Sequence, residues 1–348
     1  MNALSIEVRL SPGGPAAAVE RVTRADLADA RSEAWFSIAV RRGRPDLAPA
    51  DLPLELEPIF RPGDEPFCTG FALSGTDPGG ARRRLRFGRE CLAHVASRAA
   101  KRLVESGALR GDAAFGYDLR SHPGSDETTP RTDVPLVWRS MRLAPLVAAA
   151  HPVRPEDAED LLPVLVTDEA RRKAESIARR GAALRPPIET GGLLLGELLR
   201  CEDSGEMALA VTDALEATGA RSSTFSLEFS GLTWSRLRAV LRAMRSASPA
   251  LIPCGQFHGH PFGPGCEPCA ACATAEVCGR HTAVLSEEDR VWCRSVFPAM
   301  PYQVSWIFGA NARGEAVDRI YGQRGGRLEP RGWHAIPALD PAPIPAVP

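Results

Sequence analysis

The chain has 348 residues, long enough for two domains, and its 42 lysines and arginines almost balance its 43 aspartates and glutamates. A net charge of −1 gives the chain no overall basic character, so the composition predicts no binding to nucleic acid and none to an anionic membrane surface. No apolar run is long enough to cross a bilayer, and the first residues lack the basic and apolar regions of a signal peptide. We therefore predict a cytoplasmic location.

The N-terminal part, residues 1–120, reads as an α+β domain. Residues 90–109 carry apolar side chains at helical spacing and are followed by Gly111, which predicts an amphipathic helix. No group of chemically active residues stands out here, so its position alone suggests a role in binding substrate or partner. Alternating or short apolar runs predict strands at residues 4–10, 34–40, 52–60, 84–89 and 113–119.

The rest of the chain divides into a linker, a second domain and a tail. Residues 121–158 begin with a polar, turn-rich stretch and read as a linker, although 137–150 are apolar enough to form a short docked helix. Residues 328–348 are rich in proline and are predicted to be disordered. In the second domain, residues 159–327, we predict helices capped by Thr167 and Thr233, and strands at 162–166, 191–199, 207–214, 224–229, 251–257, 301–309 and 316–322.

Two histidines, His258 and His260, follow the predicted strand at 251–257. In an extended chain residues i and i+2 point to the same face, so both imidazoles can bind one ion. Zinc accepts nitrogen and carboxylate ligands in a roughly tetrahedral arrangement, with one position left for water in a catalytic site. Asp289 can supply the third ligand. A carboxylate outside the ligand set must then accept the proton of the water, and Glu189 is the candidate.

Each of these residues also has an ordinary structural explanation. Two close histidines at a strand end are commonly surface or structural residues, and Glu189 can be a loop carboxylate. The sequence Ser286-Glu287-Glu288-Asp289 nearly matches a helix capping box, which needs no chemistry. The occurrence of all these residues together, in this order and in these local contexts, favours the metal site.

This set of residues resembles the JAMM family of zinc isopeptidases, also called JAB or MPN-plus. The family pattern is a Glu before an apolar, Gly-rich strand, then His-x-His-Pro, then Ser-x-x-Asp, and this chain has IETGGLLLGEL, HGHP and SEED. The resemblance covers roughly residues 160–325. It implies an α/β (α+β) fold with a C-terminal MPN/JAB mixed sheet, similar to cytidine deaminases and flanked by helices, and a separate N-terminal α+β domain. The chain departs from the family at Gly259, where Ser or Thr is usual, and this glycine predicts a looser strand end.

The resemblance also assigns roles. His258, His260 and Asp289 would bind the catalytic zinc, Glu189 would be the general base, and Ser286 would donate a hydrogen bond to the oxyanion of the tetrahedral intermediate. These roles imply a metallopeptidase that cleaves an isopeptide or peptide bond after the C-terminal tail of a ubiquitin-like protein. The composition is typical of bacteria and suggests the prokaryotic, deubiquitinase-like JAB branch.

The implied substrate is a ubiquitin-like protein or its conjugate, and the implied partners are ubiquitin-activating-like and conjugating-like enzymes of the same pathway. One alternative is a non-catalytic MPN-type scaffold or partner-binding protein, as family members without the ligands are. The intact ligand set argues against that alternative.

An insertion at residues 262–285 separates Pro261 from Ser286 and is longer than the usual family loop. It has little apolar bulk, so a metal could supply its folding energy, either as a structural zinc, which we favour, or as an iron–sulfur cluster. A flexible loop is a third interpretation. A nucleic-acid or partner-binding module on the JAMM fold is disfavoured, because basic and aromatic residues do not interleave with the cysteines. The predicted ligands of this second metal are Cys266, Cys269, Cys272 and Cys278.

Overall fold

The computed structural model describes residues 2–11, 14–44, 46–49, 51–60, 67–123, 136–154, 162–261, 281–296 and 300–339. Across these residues the fold combines β-sheets with a few helices, in agreement with the predicted α+β class. No helix in these ranges is long and apolar enough to cross a membrane. The chain divides into two compact units. Unit 1 is Met1–Pro135 with Ala299–Pro301 and Gln323–Arg327, and unit 2 is Leu136–Pro298, Tyr302–Gly322 and Leu328–Pro348.

Unit 1 is built on one antiparallel sheet. Its elements are β1 (Asn2–Arg9), β2 (Ala16–Arg21), α1 (Ala28–Trp35), β3 (Glu55–Phe60), β4 (Phe67–Thr76), β5 (Arg82–Gly88), α2 (Ala93–Glu105) and β6 (Gly116–Pro123). Among the described residues the sheet has six strands in the order β2-β1-β6-β4-β3, with β5 paired to β4. Alternation along β1 buries Leu4, Ile6 and Val8, and α2 buries Val95 and Ala99 at helical spacing.

The predicted strand at residues 34–40 is wrong. Helix α1 continues into a π-helical turn at Phe36–Val40, in which Phe36, Ile38 and Val40 are fully buried. A short apolar run that is buried on all sides has no periodicity that separates a strand from a helix, so sequence alone does not decide between them.

Unit 2 contains a long mixed sheet and four helices in its described part. Its strands are β7 (Trp138–Met141), β8 (His151–Arg154), β9 (Val164–Thr167), β10 (Thr190–Cys201), β11 (Met207–Glu216), β12 (Arg221–Ser222), β13 (Leu227–Glu228), β14 (Ile252–Gly259), β15 (Val304–Ala310), β16 (Ala316–Arg324), β17 (Arg327–Arg331) and β18 (Trp333–Ile336). The helices are α3 (Ala144–Ala148), α4 (Asp168–Arg180), α5 (Gly231–Ala247) and α6 (Glu287–Val296).

In the described residues, ten of these strands form the sheet, in the order β17-β16-β15-β14-β10-β11-β9-β18-β8 with β7 paired to β10. β10 lies between β14 and β11, antiparallel to both, and β14 is parallel to β15. The near-continuous apolar sequence of β10 fits this central position, where both faces are covered.

Two helices, α4 and α5, start at side-chain caps. Thr167 caps α4 as predicted, because its hydroxyl accepts a hydrogen bond from the Ala170 N–H. Helix α5 starts one turn earlier than predicted, since Ser230 rather than Thr233 is its cap. The predicted strand at 224–229 is reduced to the two residues of β13.

Two segments predicted to be irregular contain strands. The predicted linker, 121–158, includes β7, α3 and β8, and β7 pairs with β10. The predicted disordered tail, 328–348, includes most of β17 and all of β18, which lies between β9 and β8. The Trp333 ring is fully buried with its centroid 5.3 Å from that of Trp306, so burial of a large aromatic ring outweighs the polar, proline-rich surroundings. Residues 340–348 lie outside the described part.

Candidate metal centre

The candidate site forms where β10 begins and β14 ends. These antiparallel strands place Gly191 opposite His258, so Glu189, which precedes β10, lies beside the histidines. Just beyond β14, the backbone N–H of His260 donates to the carbonyl of Phe308 on β15 (2.8 Å). Backbone pairing of neighbouring strands therefore holds His258 and His260, while the N–H of Glu189, just before β10, donates to the Ser223 carbonyl (2.7 Å).

Three predicted ligands converge on one point. His258 Nε2 lies 3.1 Å from His260 Nε2 and 3.3 Å from Asp289 Oδ1, and His260 Nε2 lies 4.0 Å from Asp289 Oδ2. Their possible ligand atoms all lie within 4.8 Å of one another. Two imidazole nitrogens and one carboxylate oxygen are a donor set that zinc accepts, with room for a fourth ligand.

Hydrogen bonds on the far side of each ring determine which nitrogen can bind a cation. His258 Nδ1 lies 3.0 Å from the Gln256 Oε1, and His260 Nδ1 lies 2.6 Å from the Thr282 carbonyl oxygen. An oxygen acceptor requires Nδ1 to carry the proton, so each Nε2 presents a lone pair. The two lone pairs face each other across 3.1 Å, an arrangement that a shared cation stabilises.

The protonation of His258 agrees with this geometry. Burial lowers the pKa of His258 to about 4, against the opposing charge of Asp289, and the neighbouring His260 lowers the pKa further. The ring is therefore neutral at neutral pH and can act as a ligand.

Glu189 lies next to the three candidate ligands but beyond hydrogen-bond distance of His260. Its Oε1 is 3.9 Å from His260 Nε2, and the residue is only 5% exposed. Burial raises its pKa to about 8, and the nearby charges of Asp289 and Glu288 raise it further. Perturbation of this kind, in a cleft and beside a possible metal site, is typical of a catalytic carboxyl.

Asp289 is held by a capping box at the start of α6. The hydroxyl and the N–H of Ser286 donate to Asp289 Oδ2 (2.7 and 2.8 Å), and the Asp289 N–H donates back to the Ser286 hydroxyl (3.0 Å). The capping interpretation of Ser286 and Asp289 is thus observed. It coexists with the metal interpretation, because the other carboxylate oxygen, Oδ1, faces His258.

Gly259, between the two histidines, has no space for a side chain. A Cβ atom at this position would lie 2.1 Å from the carbonyl oxygen of Ala178 in α4. The strand end is therefore packed against α4, which is the reverse of the loose end that the glycine predicts.

The site opens into a groove of about 620 Å³, the size of a typical ligand cleft. One group of lining side chains is apolar, and Phe225 among them is 71% exposed. The other group is acidic and includes Glu228, Glu287 and Glu288. Ser286 also lines this groove, so it lies at the site as well as in the capping box.

Sequence reasoning missed the residues behind the histidines. Gln256 carries a usable signal, because it lies two residues before His258 on a strand and so shares its face. Thr282 carries none, since it contributes only its backbone oxygen and reaches the site through the fold. Cys266, Cys269, Cys272 and Cys278 lie outside the described residues, so the second metal stays a prediction.

Comparison with known proteins identifies no family. No model of a known protein family matches the chain, and no curated protein matches it. Among solved structures, the solution structure of a protein from Salinibacter ruber (strain DSM 13855) is 17% identical, with 51% of this chain and 94% of that chain covered and a TM-score of 0.25. A TM-score this low bears on neither the fold nor the function of this chain.

Proposed function

We propose that the chain is a zinc-dependent peptidase or isopeptidase of the JAMM type, with an MPN/JAB fold in residues 159–327. The convergence of His258, His260 and Asp289 beside the buried Glu189 supports this proposal best. Glu189 and Asp289 are distant in the sequence from the two histidines, and the buried His258 is neutral at neutral pH, as a ligand must be.

The residues present fit a zinc ion. Both Nδ1 protons are taken by oxygen acceptors, which leaves two Nε2 lone pairs and one Asp289 oxygen directed at a common point. When bound, zinc would act as a Lewis acid and lower the pKa of a water molecule toward about 7.

Glu189 would accept the proton of the attacking water and pass it to the leaving amine. A buried carboxyl with a raised pKa is suited to both halves of that transfer, since it holds a proton readily near neutral pH. Ser286 would donate a hydrogen bond to the developing oxyanion by turning its hydroxyl from Asp289 Oδ2 into the groove, while the Ser286 N–H keeps its bond to that oxygen.

The groove suits an extended peptide. Its apolar side chains, among them Phe225 and Phe229, would cover a flexible tail, and exposed strand edges could add main-chain hydrogen bonds. We therefore propose the C-terminal tail of a ubiquitin-like protein as the substrate. The activating-like and conjugating-like enzymes of a bacterial modification pathway would be partners, acting in the cytoplasm.

A non-catalytic scaffold is the second candidate, and the capping box at Ser286 favours it, because that box explains Ser286 and Asp289 without chemistry. It leaves Glu189 unexplained. Burying the Glu189 carboxyl near Asp289 and Glu288 lowers the stability of the fold. A scaffold would gain nothing in return for that loss.

Replacement of a single ligand tests the proposal. We expect wild-type protein to carry two metal equivalents, one at the candidate site and one at the cysteine insertion, and to hydrolyse a fusion joined through the tail of a ubiquitin-like protein. His260→Ala should lose one equivalent of zinc and the hydrolysis together. His151 is exposed, and His151→Ala should keep both metal equivalents and the hydrolysis. Full activity in His260→Ala would refute the catalytic site. Loss of a metal equivalent in Cys269→Ser would identify the second site.

A further inference from the structure

A group of buried polar side chains lies beside His258, and its member Gln256 also lines the groove. Gln256, Cys293 and Ser305 are each only 3–4% exposed, and Cys293 belongs to an apolar cluster that includes Ile307 and Tyr321. The strand register brings Gln256 and Ser305 together, because Gln256 on β14 pairs with Ser305 on β15. Cys293 on α6 lies over both of them.

The contacts within this group orient the Gln256 amide. The Gln256 Nε2 lies 3.8 Å from the Cys293 sulfur, and that sulfur lies 3.1 Å from the Ser305 hydroxyl oxygen. An amide nitrogen can only donate, so the sulfur is its acceptor, and the thiol or the hydroxyl completes the chain. The amide oxygen is left to face His258 Nδ1 at 3.0 Å.

The orientation of this amide has a chemical consequence at the candidate site. With the oxygen toward His258, Nδ1 keeps its proton and Nε2 is a free lone pair. With the amide rotated by half a turn, the NH2 group would face Nδ1, and the proton would move to Nε2. That proton would point at His260 Nε2, only 3.1 Å away, and no cation could bind there.

A purely structural role does not require such a buried amide. An apolar side chain would fill the same space next to Cys293 without the cost of burying a polar group. A glutamine gains a role here by holding the ring that it contacts as one tautomer.

We propose that Gln256 is a positioning residue for the metal centre: its amide oxygen holds His258 as the Nδ1–H tautomer, and Cys293 and Ser305 hold the amide in that orientation. The proposal rests on the zinc site of the proposed function. It also makes a claim about the zinc-free protein, which can be tested separately.

The first test uses the full chain without zinc. Long-range proton–nitrogen NMR on protein labelled with ¹⁵N-histidine reports which ring nitrogen carries the proton, and His258→Gln assigns the His258 signals. We expect the wild-type His258 to be protonated on Nδ1. A His258 ring protonated on Nε2 would overturn the proposal even if the protein binds zinc and cleaves peptides. The expected tautomer in a protein without peptidase activity would contradict the proposed function alone.

The second test measures zinc affinity by competition with a chelator. Gln256→Leu should bind zinc about 10-fold to 100-fold more weakly, the usual effect of removing such a support. Gln256→Glu should recover most of the affinity, because a carboxylate accepts the same proton. Gln303→Leu removes another buried glutamine and should leave zinc affinity unchanged.

Thermal unfolding of the zinc-free proteins separates a specific effect on His258 from a general loss of stability. Gln256→Leu and Gln303→Leu are expected to unfold at comparable temperatures and to differ only in zinc affinity. Equal zinc affinity of these two variants, or failure of Gln256→Glu to recover binding while it is folded, would overturn the proposal.

Discussion

Burial shifts the pKa values of two residues at the candidate site, Glu189 and His258. The same loss of water that raises the pKa of Glu189 to about 8 lowers the pKa of His258 to about 4. Both side chains are therefore biased toward their neutral forms in the zinc-free protein. A neutral imidazole is ready to bind a cation, and a bound cation would in turn favour the ionised carboxylate that a general base requires.

Glu189→Gln should separate metal binding from catalysis. We expect the variant to keep its zinc, because Glu189 is proposed not to be a ligand, and to lose hydrolysis by about 100-fold or more, because an amide cannot accept a proton from water. Zinc content and turnover should be measured on the same preparation. Glu175→Gln, on the surface of α4, is the matched control and should retain both. Near-native turnover in Glu189→Gln would assign the base elsewhere.

At the scale of elements, the site depends on two contacts made by regular structure. The N-terminus of α6 presents Asp289 through the capping box, and the end of β14 packs on α4 at Gly259. The first contact orients the Asp289 carboxylate, and the second fixes the backbone between His258 and His260. Each can be tested by a small change in side-chain size.

Ser286→Ala removes a cap, a support of Asp289 and the proposed oxyanion donor. We expect a loss of about 1 kcal/mol in the free energy of unfolding from the missing cap. Turnover should fall by about 100-fold to 1000-fold, as for one oxyanion donor. Ser230→Ala removes the equivalent cap of α5, where the Ser230 hydroxyl accepts from the Thr233 N–H, and serves as the control. If both variants lose stability equally and neither loses turnover, Ser286 is a helix cap and nothing more.

Gly259→Ser would add a side chain between the two histidines. Because the added Cβ would lie 2.1 Å from the Ala178 oxygen, we expect the free energy of unfolding to fall by about 1–3 kcal/mol, the cost of overpacking. Denaturant unfolding measures the change. Gly231→Ser is the control, since a Cβ there would have no neighbour within 4 Å. A Gly259→Ser protein as stable as the wild type would mean that α4 does not approach the strand end this closely.

At the scale of the whole molecule, unit 1 has an acid-sensitive contact of its own. Burial disfavours the ionised form of Asp26, but hydrogen bonds from the Arg98 guanidinium and from the N–H and hydroxyl of Thr23 outweigh it and lower the pKa to about 2. Since the folded-state pKa is below the unfolded value near 3.8, the stabilisation is complete at neutral pH and is lost as the pH falls toward 2.

Asp26→Asn should therefore destabilise the protein by about 2 kcal/mol at pH 7, and by roughly half as much at pH 3. Denaturant unfolding at the two pH values provides the comparison. Asp112→Asn, which breaks an exposed pair with Arg110, should change stability little at either pH. A difference between wild type and Asp26→Asn that is independent of pH would show that the Asp26 carboxylate contributes packing rather than charge.

The sequence by itself determined the α+β class, the cap of α4, most strands of the sheet and the residues worth testing at the site. These are local properties: alternation along a strand, a threonine before a helix, and two histidines two residues apart. Their physical basis lies within a few residues, so no knowledge of the fold is needed.

Only the tertiary structure decided the remaining features. The helix at residues 34–40 and the strand at Trp333–Ile336 depend on what covers them, and composition does not record that. The place of Asp289 beside His258, the Thr282 oxygen behind His260 and the Ala178 oxygen against Gly259 all join residues that are distant in the chain. Such contacts arise when the sheet and its helices pack, because only then do groups from separate elements come within hydrogen-bond distance.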